Sequence, residues 1–189
     1  MANLYDHIYV DAQNLIRRYE SRDPQLILKE RDVKLIPFKT NTELLGMYKI
    51  ILGKRFVFYN PFIDRRLLRM VLAHELGHDL YHQAQAGSGQ LIEFELFNIK
   101  DAMETEANIF ASHLLLDEKE LMDYLVQGYS YDQIASLMNV NVNLIIFKLN
   151  EMQRMGRPIR LDICPDQSFL KHIDGRDPRN SNALTDEPL

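Results

Sequence analysis

The sequence predicts an α+β domain: a small antiparallel sheet packed on a helical core, followed by a helix-turn-helix-like helical segment. Three observations carry that reading. Apolar residues recur at helical spacing through the first twenty residues and again between about 61 and 155. Three short runs rich in β-branched and aromatic residues are grouped together between 33 and 60. The strands therefore cluster and do not alternate with helices, which is the α+β pattern and not the α/β one.

Taken in order, YDHIYVDAQNLIRRY (5–19) sets Ile8, Ala12, Leu15 and Ile16 on one helical face. Pro24 suits the first turn of a short second helix. VKLIPF (33–38) is the first strand, with Pro37 marking it as an edge. GMYKIIL (46–52) and RFVFYN (55–60) form a hairpin about Gly53-Lys54. A long helix is expected from about Pro61 to Gln83, with Asn60 as its cap. After a Gly/Ser/Gln loop comes a second long helix, 99–116, and then a further one over 117–127. Residues 130–155 read as two short helices about a turn at 139–141, the first opened by a Ser130/Gln133 capping box. From about 156 the chain is polar and turn-rich. The expected organisation is a core over 1–116, a helical segment packed on it over 117–157, and a flexible tail over 158–189.

Composition narrows the function classes. With 46% hydrophobic and 26% charged residues, the 189-residue chain can build a substantial core. A net charge of −5 does not suit a general nucleic-acid binder. The lone Cys164 allows neither an internal disulfide nor a cysteine-rich metal site. The first residues lack the pattern of a secretory signal, and no apolar run is long enough to cross a bilayer. A cytoplasmic location is expected.

VLAHELGHDLYHQ (71–83) holds three of the six histidines. His74 and His78, four apart, leave the same face of a helix and can fill two corners of a zinc tetrahedron. Glu75 lies roughly 100° around the helix, where a carboxylate reaches a zinc-bound water without ligating the metal. That is the physical content of His-Glu-x-x-His. The flanking leucines argue that this helix is buried, where imidazoles and carboxylates need partners or a metal. His82, another turn on, fits a supporting or structural role, so the third ligand must come from elsewhere. Mn²⁺ and Fe²⁺ are compatible with the same donors.

KDAMETEANIFASHLLL (100–116) offers Glu104 and Glu106. Glu104 shares a face with Ala107, Asn108 and Ala111, whose small side chains favour close helix packing. It is the preferred third ligand, with Glu106 as the alternative. Asn108 can hydrogen-bond a ligand histidine. Tyr81 and His113 are weak candidates for stabilising an oxyanion.

HELGH followed by ETEANIFASHLLL resembles the ImmA/IrrE family of zinc metallopeptidases, in which a glutamate of an E-x-x-A-N-x-F-A pattern completes the metal site. The matching positions are Glu104, Ala107, Asn108, Phe110 and Ala111, and the similarity extends over about residues 5 to 155. One departure is Asp117, where family members often carry a proline after the second motif; it can cap the next helix. The resemblance implies a zincin-type core of the gluzincin kind, one zinc ion, and cleavage of a helix-turn-helix repressor in a phage, mobile element or stress response. Direct DNA binding is not expected: over 113–155 acids outnumber Lys and Arg six to three. The rival reading is a non-catalytic, metal-stabilised regulator that binds DNA or sequesters a repressor.

Overall fold

The computed structural model describes residues 5–87, 99–157 and 159. The described elements are α1 (Asp6–Tyr19), α2 (Pro24–Glu30), β1 (Lys34–Pro37), β2 (Gly46–Ile51), β3 (Lys54–Tyr59), α3 (Arg65–Tyr81), α4 (Gln83–Gly87), α5 (Ile99–Leu115), α6 (Glu118–Val126), α7 (Tyr131–Leu137) and α8 (Val142–Arg154). The fold class is α+β. Beyond Arg157, all but Ile159 of the expected tail lies outside the described residues.

The sheet differs from the expected antiparallel one. Its strand order is β1-β3-β2; β2 and β3 form the antiparallel hairpin, but β1 pairs in parallel with β3. Two chain reversals separate β1 from β3, so the two strands point the same way once β3 takes the central place. Pro37 does lie on an edge strand, where its missing N–H costs no ladder bond.

Strand periodicity sorts the sheet into two faces. Tyr48 and Val57 are buried, and Leu35, Ile50 and Tyr59 pack beside them against the core. The cross-strand pairs Met47–Phe58, Lys49–Phe56 and Ile51–Lys54 lie on the other face, with Lys34 and Ile36 of β1.

The histidine helix starts later than expected. Asp64, not Asn60, caps it, accepting a bond from the Leu67 N–H at 2.9 Å. Asn60 instead accepts from the Phe62 N–H and donates to the Thr42 carbonyl at 2.8 Å, which fixes the loops before and after the hairpin. The helix ends at Tyr81, and the turns beyond it form the separate α4.

Two glycines set the close approaches. A Cβ on Gly77 of α3 would stand 2.9 Å from the Ala107 Cα of α5, so these helices touch nearly backbone to backbone. A Cβ on Gly46 of β2 would stand 2.5 Å from Val71 Cγ1 and 2.8 Å from Glu75 Oε1. Phe110 and Leu114 of α5 are fully buried, each contributing about 1.5–3 kcal/mol of apolar burial.

The α7–α8 pair forms as expected, with the Ser130/Gln133 capping box and Asn141 capping α8. Yet α8 is enclosed: Leu144 to Leu149, Glu151 and Met152 are all buried, and the helix packs on α5. Lys148, fully buried, donates from Nζ to His113 Nδ1 at 2.9 Å.

Candidate metal centre

Helix geometry places His74 and His78 one turn apart on α3, and their Nε2 atoms stand 3.0 Å apart. The Gly77–Ala107 contact brings α5 close enough for Glu104 to complete the group. Its carboxylate lies 3.3 Å from His74 Nε2 and 3.7 Å from His78 Nε2. Donors roughly 2.0–2.1 Å from a zinc ion in a tetrahedron stand about 3.3–3.5 Å from each other. The three observed separations bracket that spacing, and among the described residues this is the group able to hold a metal.

Proton positions reinforce the fit. A carboxylate only accepts hydrogen bonds, so His82 Nε2, 3.0 Å from Glu106, carries a proton and donates it. Burial pushes His82 below the ordinary imidazole range, leaving it neutral. Its Nδ1 is then an acceptor, and His78 Nδ1 donates to it at 2.8 Å. On the other side, His74 Nδ1 donates to Asn108 Oδ1 at 2.9 Å. Both Nε2 lone pairs are thereby left facing the Glu104 carboxylate. With these tautomers three electron-pair donors converge, an arrangement that a cation, whether a metal or a proton, satisfies. Burial disfavours charge on His74, but Glu104 outweighs it and raises the histidine's pKa. Protons and a metal therefore compete for this place.

Glu75, buried, points to β2. It accepts a hydrogen bond from the Tyr48 backbone N–H and lies against Gly46. Burial lifts its pKa to about 7, with Glu104 adding to the rise and His74 and the Tyr48 N–H opposing it. A carboxyl group so placed can exchange a proton near neutral pH.

The structure thus joins His74, His78, Glu104, Glu75 and Asn108 in one site. Glu106 stands apart from the donor triangle and supports His82. Tyr81 and His113 are engaged elsewhere: the Tyr81 hydroxyl donates to Asp11 at 3.2 Å, and His113 accepts from Lys148.

Several supporting residues escaped the sequence reading. Asp79, fully buried, receives Arg31 at 2.8 Å, Arg55 at 3.1 Å and the Tyr48 hydroxyl at 3.0 Å. This cluster ties α3, immediately after His78, to the residue following α2 and to both hairpin strands. A second acid in a mostly apolar helix, one turn beyond Glu75, was the available signal, but its partners are 24 to 48 residues away.

Two imidazoles and a carboxylate in a triangle, beside a buried glutamate on a His-Glu-x-x-His helix, define the class of metal-dependent peptidases. The chain belongs to the peptidase M78 family: the family's IrrE N-terminal-like domain matches residues 28–150, which include the whole site. It is similar to uncharacterized immunity region protein 2 of Bacillus phage phi105, 29% identical over 150 residues that take in 79% of this chain and 94% of that protein. It is also similar to metallopeptidase ImmA of Bacillus subtilis (strain 168), 37% identical over 90 residues, 44% of this chain and 50% of that protein.

Proposed function

We infer that this chain is a zinc-dependent endopeptidase that cleaves a helix-turn-helix transcriptional repressor and so relieves repression. The observation that carries the catalytic reading is the convergence of His74 Nε2, His78 Nε2 and the Glu104 carboxylate, with the Nδ1 atom of each histidine hydrogen-bonded on the far side of its ring. Those three residues would hold the metal. When bound, it would supply the Lewis acidity that polarises a carbonyl and eases the ionisation of water.

The remaining chemistry belongs to the chain. Glu75, held by the Tyr48 N–H, takes a proton from water and later returns it to the departing amine. Asn108 and His82 keep the two histidines in the ligand-ready tautomer. β2 is an edge strand beside Glu75, and an extended substrate segment pairs with it.

The repressor substrate is supported by the resemblance of the paired motifs and by the name of the phage relative, an immunity region protein. The enclosed α8 supports a partner role that does not involve reading duplex DNA: Lys148, one of its two basic residues, is buried. The test is metal content in wild type, Glu104→Ala and Glu106→Ala, purified identically. One zinc per chain, lost with Glu104→Ala and kept with Glu106→Ala, is expected. A chain that takes up no zinc when supplied with it would overturn the reading.

A further inference from the structure

The sheet face turned away from the core carries a pattern that the peptidase chemistry does not use. Phe56 and Phe58 lie next to each other along the central strand, and Phe38 continues the row from the end of β1. Their rings are near-parallel: Phe56 and Phe58 have centroids 6.0 Å apart at 25°, and Phe38 and Phe58 6.5 Å apart at 12°. These three side chains are partly exposed and lie outside the core cluster.

Around the row stand Lys34, Lys49 and Lys54, one from each strand. Among the described residues none of the three has a carboxylate partner. No outward-facing position of the three strands is acidic, although acids outnumber Lys and Arg in the whole chain by 27 to 22. Apolar burial alone would not explain lysines that lack a carboxylate partner among the described residues and alternate with partly exposed phenyl rings.

We propose that this face binds single-stranded nucleic acid, with bases stacked on the phenylalanine row and phosphates held by the three lysines. Flat aromatic rings on an open sheet receive unstacked bases of any sequence, and lysines at the margins track the backbone. A duplex hides the flat faces of its bases and cannot use the row. The site lies on the side of the sheet opposite Glu75, so occupancy leaves the metal centre open. It does not depend on the peptidase reading.

The test is fluorescence anisotropy of a labelled oligothymidylate titrated with the full chain, with unlabelled duplex DNA and polyglutamate as competitors. Saturable binding is expected, with neither competitor displacing the probe at equal charge concentration. Phe56→Ala and Phe58→Ala should each weaken binding about tenfold or more. Lys49→Ala and Lys54→Ala should each reduce the slope of log affinity against log salt by about 0.7. Phe62→Ala, an exposed aromatic off the sheet, should change neither. Circular dichroism and zinc content would confirm that each variant is folded. Absence of binding at low salt, binding insensitive to both phenylalanine substitutions, or equal competition by polyglutamate would each overturn the proposal.

Discussion

Gly77 of α3 faces Ala107 of α5 so closely that a single added methyl would meet the Ala107 backbone at 2.9 Å. The donor triangle depends on this contact, because His74 and His78 lie on one helix and Glu104 on the other. Gly77→Ala should destabilise the protein by about 1–3 kcal/mol through overpacking. It should also lower zinc affinity, since the helices must part to admit the methyl. Urea unfolding and a chelator competition read the two effects separately; unchanged zinc affinity would mean that the site tolerates the shift.

Glu75 is buried beside the donors without being one of them. Glu75→Gln should therefore retain zinc and lose cleavage of the substrate by about 10²–10⁴-fold, the contribution of a positioned proton acceptor. Zinc content and turnover measured on the same preparation check this. A fully active Glu75→Gln enzyme would remove the glutamate from the mechanism.

The hydrogen bonds behind the histidines predict graded losses. His82→Phe, Glu106→Gln and Asn108→Ala each disturb the tautomer or the orientation of a ligand. Each should weaken zinc binding by about 10–100-fold without abolishing it. Glu104→Ala should abolish it. Titration against a zinc chelator distinguishes the two classes.

Asp79 is buried under two arginines and a tyrosine. Asp79→Ala leaves Arg31 and Arg55 without their carboxylate and should cost about 3–5 kcal/mol, as when one partner of a buried pair is removed. Equilibrium unfolding in urea measures it, and a loss below about 1 kcal/mol would show that solvent takes over the arginines.

Lys148 gives the stability a pH dependence of known sign. Burial lowers its pKa to about 8 from 10.5. Between those values the unfolded chain holds more protons than the folded one, so stability should rise with pH from about 8 towards 10.5 and be flat just below 8. The full change is about 3 kcal/mol. His113, kept neutral by burial and by Lys148, adds a loss of stability as pH falls below about 6.5. Lys148→Met should abolish the alkaline rise and make the protein more stable at neutral pH, as replacement of a buried charge often does. Thermal melts of both proteins across the pH range test this.

Much was legible in the residues alone. The His-Glu-x-x-His spacing puts two imidazoles on one face of a helix wherever that helix lies. The Ser130/Gln133 box, Pro24 at a helix start and Gly53 in the hairpin act through neighbours within four residues. The tertiary structure decided what depends on distant partners. Glu104 and Glu106 differ by roughly 200° around α5, and only the packing of α5 on α3 turns one to the donors and the other to His82. Asn60 and Asp64 are both able caps; the loop bonds to Thr42 claimed Asn60 and moved the start of α3 to Arg65. β1 ran parallel to β3 because strand order, not the strand's own residues, sets its partner. Local hydrogen bonds and periodicity act over a few residues and can be read in order. The approach of Glu104 to the two histidines, the support of Asp79 and the burial of Lys148 arise only when segments 24 to 48 residues apart meet.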